Sequence, residues 1–469
     1  MLEVKSMWTS VSRTLCIQAV MFLSCAIGVT SGPAVLISVS FPTTQDPQQR
    51  SREMVEIRIR EPEWTALLDR LRLNTAQVET ARQAYAAYQK GLAELDGRIM
   101  QRALREIGVE DLSQAPQVLR SMDPADQAAF TQRLQRLVRG SRGESDALRQ
   151  TLLGMVKEAL NDEQAARWPG AVLALKRAIM LNPRLDPRSA NVSMNLGVHI
   201  DLMTLVEEAA TPEGELASLL AAPDPAPAAD DPWHERHAEA VRALDDYQAR
   251  LDALLDAEAL TTMDALQDLR AAAMGGDMAA VARLHKRMWS YRERLYRLNE
   301  SAAAQLARGL EQLGEPHNAR RWLERVYAAH FPEIHRAEFI DHLADRLLRD
   351  ATMDEAAKSH VREIMAQHER TRDALRAQLR AAVLKVHETA SPYLPPDASL
   401  LREFDGLITR WSEQHAGTIA QLRGAATPEA RAAMDQFIES NESMRLNQPP
   451  SDRMIDWLRA QAAQRGEVE

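Results

Sequence analysis

The stretch KRMWSYRERLYRLNESAAAQLARGLEQLG, residues 286–314, decides the fold class. Its apolar residues recur at intervals of three and four, which places them on one face of a continuous helix, with arginine and glutamate opposite. They are Met288, Tyr291, Leu295, Leu298, Ala302, Leu306, Leu310 and Leu313. Residues 82–108, 234–258 and 354–388 show the same pattern, and Gly108 is expected to end the first of these helices.

The composition of the whole chain agrees with an all-α fold. Apolar residues make up 45% of the 469 residues, which argues against general disorder, while aromatic residues make up only 5%. Alanine, leucine, arginine, glutamate and glutamine, which dominate, are good helix formers. The net charge of −10, with basic residues interspersed among acidic ones, predicts that the chain does not bind nucleic acid.

Residues 1–41 have the pattern of an export segment. Residues 14–41 carry no charge and follow Lys5 and Arg13, as in a signal peptide, and they are long enough to span a bilayer. We expect a signal peptide or a membrane anchor, and a buried core helix of a cytosolic protein is the alternative. Both cysteines, Cys16 and Cys25, lie in this segment, so the rest of the chain forms no disulfide. A location in the periplasm or cell envelope is predicted.

Proline-rich segments divide the rest of the chain. AAPDPAPAADDP at 221–232 is typical of an extended linker, and SPYLPPD at 391–397 and NQPPSD at 447–452 mark further breaks. We predict an export or anchor segment, a linker, a first helical domain, a second linker, a second helical domain and a shorter C-terminal helical region. Their bounds are 1–41, 42–62, 63–220, 221–232, 233–391 and 392–469.

The two helical domains contain similar sequences. Tyr88-Gln89-x-x-Leu92-x-x-Leu95 returns as Tyr247-Gln248-x-x-Leu251-x-x-Leu254, and Ala165-Ala166-Arg167-Trp168 corresponds to Ala319-Arg320-Arg321-Trp322. The two offsets are nearly equal, which indicates a duplication, and Arg410-Trp411 marks a candidate third copy. Chance similarity between alanine- and leucine-rich helices is the alternative. We predict repeated antiparallel helical hairpins that form two related domains and a shorter third.

Two short sequences, LNTAQ at 73–77 and LNDEQ at 160–164, are typical helix starts. In each, the asparagine side chain can accept a hydrogen bond from the glutamine amide, and the glutamine can reach back, which forms a capping box. Trp168 follows the second sequence and is expected to lie between helices. Pro169-Gly170 is expected to kink or end that helix.

These two LNxxQ sequences resemble the LTxxQ motif of periplasmic stress-response proteins of the Spy and CpxP type, with asparagine in place of threonine. Those proteins are small, all-helical, exported and independent of disulfides. They bind unfolded proteins or a sensor kinase, and some relatives bind metal ions. The resemblance covers two short segments of a chain several times longer than a typical member. It implies an envelope location more than a particular activity.

Catalytic motifs are missing from the sequence. No GxxxxGK[ST] or GxGxxG phosphate loop, no GxSxG elbow and no HExxH helix occurs, and a chain without cysteine beyond Cys25 has no thiol nucleophile there. We predict a protein that is not an enzyme. No catalytic, cofactor-binding or metal-binding residue is assigned, and no cofactor is expected.

The densest histidines are His234-x-x-His237 and the group His330, His335 and His342. If residues 335–342 are helical, His335, Glu338 and His342 share one face, which suits a divalent ion. A solvated surface is the stronger prediction for this region.

The leading functional hypothesis is an exported envelope protein that binds other polypeptides in a chaperone-like or adaptor role, or self-associates. Its amphipathic hairpins would offer an apolar, acid-rimmed concave face. A protein that binds or senses a divalent metal around His335 and His342 is one alternative, and a purely structural helical spacer is another. The membrane becomes a further partner if the N-terminal segment is not cleaved.

Overall fold

The computed structural model describes residues 58–109, 118, 121–181, 200–221, 227–228, 230–390 and 398–441. Its regular secondary structure in these ranges is helical, without a strand, so the all-α prediction is confirmed. The predicted export segment at 1–41 and the breaks at 391–397 and 447–452 lie outside the described residues. Within the described part of the chain, no helix has the length and apolar character needed to cross a membrane.

Fifteen α-helices and one π-helical turn make up the described structure. In chain order the helices are α1 (Glu61–Leu71), α2 (Thr75–Glu106), α3 (Pro124–Gly140), α4 (Arg142–Glu158), α5 (Asp162–Met180), α6 (Leu202–Ala209), α7 (Ala217–Leu220), α8 (Pro232–Leu254), α9 (Leu260–Met274), α10 (Met278–Gln312), α11 (Pro316–His330), α12 (Phe339–Arg349), α13 (Glu355–Thr389), α14 (Ala398–Ala425) and α15 (Pro428–Ser440). The π-helical turn, Leu255–Ala259, connects α8 to α9.

The described residues fall into two compact units. Unit 1 contains the described residues before 187 together with Leu255–Leu284, and unit 2 contains the remainder. Unit 1 is therefore discontinuous in sequence, because the chain enters it a second time at Leu255 and leaves it after Leu284. The predicted bounds of 63–220 and 233–391 describe sequence segments rather than these contact-defined units.

The core of unit 1 forms where α1 packs against α5 and α2 packs against α4. α2 buries Tyr88, Leu92 and Leu95, which follow one another at intervals of four and three residues. Trp64 of α1 stacks on Tyr85 of α2, with ring centroids 5.1 Å apart. Since complete burial of one large apolar side chain stabilises a fold by about 1.5–3 kcal/mol, the apolar stripe of α2 is a principal source of stability in unit 1.

Unit 2 is dominated by the pairing of α13 with α14, and α12 packs against both. One hydrophobic cluster contains Trp289, Phe404 and Trp411. A second cluster contains Phe339 of α12 and Leu422 of α14. The regular apolar spacing of these long helices thus produces two adjoining cores along one helix pair.

The predicted helix ends can be compared with the observed ones. The helix predicted at 286–314 is part of α10, and α2 stops at Glu106 before Gly108, whose φ of 72° suits glycine. Pro169-Gly170 is expected to kink or end α5, and the structure shows that the helix does not end there but continues to Met180. Proline removes one backbone hydrogen bond, but burial of Leu175 beyond it and packing against α1 stabilise the continued helix.

Candidate functional site

Both LNxxQ sequences form the capping boxes that the sequence predicts. At the start of α2, the Asn74 side chain accepts from the amide of Gln77 at 3.0 Å, and Gln77 Oε1 accepts from the amide of Asn74 at 2.9 Å. At the start of α5, Asn161 and Gln164 repeat the pair at 2.9 and 3.1 Å. The asparagines are exposed, while Gln164 is buried and Gln77 is half-buried. The glutamines therefore point toward the interior.

The two glutamines meet each other, and we call Asn74, Gln77, Asn161 and Gln164 the glutamine junction. Gln77 Nε2 donates to Gln164 Oε1 at 2.7 Å, and Gln164 Nε2 donates to Gln77 Oε1 at 3.0 Å. Each Nε2 also donates to a backbone carbonyl two residues before the opposite asparagine. Gln77 reaches Ala159 at 2.7 Å and Gln164 reaches Arg72 at 3.1 Å. The starts of α2 and α5 are thus tied together by a nearly symmetric set of bonds.

Every hydrogen-bonding position of the two side-chain amides is occupied in this junction. A primary amide offers two N–H donors and one oxygen with two lone pairs, and each of these has a partner here. The pair has no net charge, so its bonds do not change with pH. The glutamine junction can fix the relative position of two helices, but the amides of Gln77 and Gln164 have no free group with which to bind a ligand.

The junction also holds an unusual backbone conformation. Arg72, which follows α1, is the only residue other than glycine with a positive φ among the described residues, at 51°. A left-handed conformation at such a residue costs of the order of 1 kcal/mol. Because Gln164 donates to the Arg72 carbonyl, tertiary contact from α5 helps to maintain the turn between α1 and α2.

A different junction lies at the start of α11 in unit 2. Glu315, which precedes α11, accepts from Asn318 Nδ2 at 2.8 Å and from Ser218 Oγ at 2.6 Å. The Ser218 carbonyl accepts from Trp233 Nε1, near the start of α8, at 2.7 Å. Ser218 of α7 thus connects Glu315, at the start of α11, with Trp233, near the start of α8. In the glutamine junction, by contrast, the side chains of the two helix starts contact each other directly.

The two Arg-Trp sequences occupy different environments. Trp322 is completely buried, and its Nε1 donates to the carbonyl of Ala303 at 3.0 Å. Trp168 is half-buried at the edge of the unit 1 core. Both tryptophans pack between helices as expected, and only Trp322 belongs fully to a core.

The histidine pair His234 and His237 lies at the start of α8. His234 Nε2 is 3.0 Å from the carbonyl of Ala228, and His237 Nδ1 is 3.0 Å from the carbonyl of Leu219. His237 also stacks on Trp233, with centroids 4.6 Å apart. The two imidazoles are engaged by different backbone groups and do not converge on one point.

Residues 335–342 do not form the continuous helix that the predicted metal site requires. His335 lies in the turn before α12, so it does not share a helical face with Glu338 and His342. His342 is exposed, and His335 Nε2 is 2.9 Å from Arg380 Nη1. In the described residues, no group of three or more His, Cys, Asp or Glu side chains is arranged to hold a metal ion.

Sequence reasoning did not identify a buried polar network in unit 2. Glu338, at the start of α12, lies 3.2 Å from His368 Nε2 and accepts from Arg376 Nη2 at 3.2 Å, and Thr418 Oγ1 is 3.1 Å from His368 Nδ1. Burial raises the pKa of Glu338, but the hydrogen bond with His368 and the charge of Arg376 outweigh burial and hold that pKa below its usual value. The residues of this polar network come from the start of α12, from α13 and from α14. They share no local motif, so no pattern in the sequence groups them.

Carboxylate, imidazole and hydroxyl follow one another in this network, the order found in hydrolase triads. Thr418 Oγ1, however, donates to the carbonyl of Gln414 in its own helix at 3.0 Å, and Glu338, His368 and Thr418 are all buried. The hydroxyl therefore does not face solvent as a nucleophile would. The arrangement joins α12, α13 and α14 through charge-assisted hydrogen bonds.

Comparisons of the chain with models of protein families, with curated proteins and with solved structures gave no match.

Proposed function

We propose that this chain is an exported envelope protein that binds other polypeptides in an adaptor or chaperone-like role. The observation that carries the proposal is the pairing of Gln77 with Gln164 between two LNxxQ segments. The hydrogen bonds of a capping box lie within one helix start, whereas the glutamines of these two boxes also bond to each other. Use of the motif as a pair supports the resemblance to exported polypeptide-binding proteins of the Spy and CpxP type. Residues 1–41 are the proposed signal peptide or anchor.

The surface supports the adaptor form of this proposal more than a broad apolar binding face. Among the described residues, the exposed large apolar side chains are Met155, Val241, Leu260 and Met278. A protein that holds unfolded chains through apolar contact needs a contiguous patch, of a few hundred Å² or more. Four such side chains supply little of that area, so polar and charged groups would carry much of the binding.

We also propose that the segments 63–220 and 233–391 derive from a duplication. Tyr88 and Tyr247 are the aligned tyrosines of the first repeated sequence. The Tyr88 hydroxyl accepts from the Ile59 amide at 3.0 Å, and the Tyr247 hydroxyl accepts from the Leu202 amide at 2.9 Å. Each tyrosine thus binds the backbone at the start of a preceding helix. This shared contact, at aligned positions, supports a common origin over chance similarity.

Binding of a permanently unfolded client tests the proposed function. A reduced and carboxymethylated protein, fluorescently labelled, is titrated with the purified chain, and anisotropy reports the complex. We expect saturable binding that Met155→Glu and Met278→Glu weaken, because both side chains are apolar and exposed. Gln150→Glu, which adds the same charge at an exposed polar position of α4, the helix that also carries Met155, is the matched control.

Light scattering of a denatured client separates the two forms of the proposal. Suppressed aggregation at a near-stoichiometric ratio supports the chaperone form, while client binding without suppression supports the adaptor form. Absence of any binding to unfolded or folded polypeptides contradicts both.

A helical spacer is the second candidate, and the lengths of the helices favour it. α10 and α13 each contain 35 residues, which corresponds to about 52 Å at 1.5 Å per residue. Sedimentation velocity of the full chain measures this directly. A compact monomer counts against the spacer, and an elongated oligomer supports it.

A further inference from the structure

Three arginines of α13 lie on one face of the helix at intervals of four residues. Arg372 donates to Asp341 at 2.8 and 3.1 Å, and Arg376 donates to Glu338 at 3.2 Å. Arg380 differs from both, because its Nη1 lies 2.9 Å from His335 Nε2 and no carboxylate in the described residues pairs with it. Two of the three cations therefore have an anionic partner, and the third contacts a neutral ring.

The surroundings of Arg380 hold the guanidinium in a fixed plane. Its central carbon lies 3.8 Å from the centroid of the Tyr327 ring, and Tyr327 in turn stacks on His335, with centroids 5.7 Å apart. All three side chains are half-buried. A guanidinium has five N–H donors, and the contact with His335 uses only one of its nitrogens, so donors remain for a further partner.

Donors exceed acceptors around this group. His335 Nδ1, Arg372 Nε and Arg376 Nε are buried and have no hydrogen-bond partner in the described structure. Burial, and then the charges of Arg376, Arg380 and Arg372, lower the pKa of His335 to about 3, so the imidazole adds no charge at neutral pH. Burial raises the pKa of Tyr327 although Arg380 opposes the effect, so its hydroxyl remains a donor. The surroundings of Arg380 are thus rich in donors and contain one cation without an anionic partner in the described residues.

We propose that Arg380 and Tyr327, supported by His335, form a binding site for a carboxylate group. A planar carboxylate matches the fork of a guanidinium and can accept two parallel hydrogen bonds from it. Cation–π contact with Tyr327 and the bond to His335 hold the fork in place, so little side-chain entropy is lost on binding. The carboxylate comes from a polypeptide or from a small free acid, and the polypeptide source rests on the proposed function.

Titration of the full chain with a labelled acetyl-trialanine peptide tests the site. Binding of the free-acid peptide is compared with that of its C-terminal amide, and acetate serves as competitor. We expect the free acid to bind about tenfold or more tightly than the amide, since a charge-assisted hydrogen bond is lost in the amide. Acetate should displace the peptide. If the peptide binds much more tightly than acetate, the natural carboxylate belongs to a polypeptide. If the two affinities are equal, it belongs to a small free acid.

Substitutions test whether the acid binds at Arg380 and Tyr327. Arg380→Gln should abolish the difference between acid and amide, and Tyr327→Phe, which keeps the ring contact, should weaken acid binding several-fold. Arg362→Gln is the control, because Arg362 lies on the same helix and is exposed, with its guanidinium on Glu355. Circular dichroism checks that each variant is folded.

Equal affinity for acid and amide in the unaltered chain overturns the site, and so does undiminished selectivity in a folded Arg380→Gln variant. Client binding by the same preparation separates the two proposals. A chain that binds the unfolded client but not the free acid retains its proposed function and loses this site. A chain that binds the free acid selectively but does not bind the unfolded client retains this site and loses the proposed function.

Discussion

Unit 1 and unit 2 satisfy polar groups near a helix start with different chemistry. In unit 1, Gln77 and Gln164 form a neutral amide pair. In unit 2, the carboxylate of Glu338 is buried with His368 and the Arg376 guanidinium. The neutral pair is complete by itself, whereas the charged group depends on Glu338 remaining ionised. Similar helical architecture therefore does not imply similar sensitivity to pH or mutation.

The two units also differ in their histidine content. All twelve histidines of the sequence lie beyond residue 198, and none lies in the described residues of unit 1. Unit 2 buries five of them, His285, His330, His368, His387 and His415. Because histidine is the side chain that ordinarily titrates between pH 5 and 8, mild acid should act on unit 2 and leave unit 1 unchanged.

The largest difference between the units in the free energy of unfolding is expected when Trp322 and Trp168 are each replaced by alanine. Trp322→Ala removes a fully buried side chain and its hydrogen bond to Ala303, and should lower the free energy of unfolding by about 3–5 kcal/mol. Trp168→Ala should cost clearly less, because Trp168 is half-buried. Urea denaturation of both variants measures this, and equal losses would show that Trp168 is as essential to packing as Trp322.

Removal of the buried charge is the next test. Glu338→Gln keeps the shape of the side chain but leaves Arg376 without its carboxylate, and a loss of about 3 kcal/mol is expected. Glu355→Gln, in the same unit but at an exposed position, should change the free energy of unfolding little. If the two variants have the same stability, the charged network does not stabilise unit 2.

Acid should destabilise unit 2 selectively. Burial lowers the pKa of His415 to about 4, against 6.5 in an unfolded chain, so the unfolded state takes up the proton first as the pH falls. The stabilising contribution is complete above pH 6.5 and declines below it, by about 2 kcal/mol between pH 7 and pH 5. The lowered pKa of His335 acts in the same direction.

Hydrogen exchange resolved by peptide measures this effect in each unit separately. Amides of α13 and α14 should lose protection at pH 5, after correction for the intrinsic exchange rate, while those of α2 and α5 keep theirs. Equal loss in both units would mean that acid acts on the whole chain and not through the buried histidines.

The smallest effect is expected at the glutamine junction. Gln164→Ala removes hydrogen bonds at both helix starts and should cost about 1–2 kcal/mol. Gln77→Ala should cost a similar amount, and the double variant should cost less than the two together by about 0.5–1 kcal/mol, because the residues share their bonds. Asn318→Ala in unit 2 is the comparison. Additive losses would show that each box acts alone.

Much of the fold follows from local pattern. The apolar spacing of residues 286–314 predicts α10, the asparagines before α2 and α5 predict their capping boxes, and Gly108 predicts the end of α2. These features depend on residues within one or two helical turns of each other. For that reason the sequence is sufficient to find them.

The candidate sites are less accessible to the same reasoning. The sequence predicts that Asn161 and Gln164 form a cap. Gln77, the partner of Gln164, is 87 residues away, and nothing in either capping box specifies that the two glutamines meet. The sequence places His335 with Glu338 and His342 only if residues 335–342 are helical. The structure places His335 in a turn beside Arg380, because α12 begins only at Phe339.

The sequence by itself determined that the chain is helical, where many helices start and stop, and that histidine is confined to one part of it. Those properties depend on backbone propensity, side-chain spacing and composition, which act locally. Tertiary structure alone decided that Gln77 meets Gln164, that Glu338 contacts His368 and pairs with Arg376, and that Arg380 has no carboxylate partner in the described residues. These pairings depend on which helices pack together, and packing is set by the burial of whole helix faces and not by any short motif.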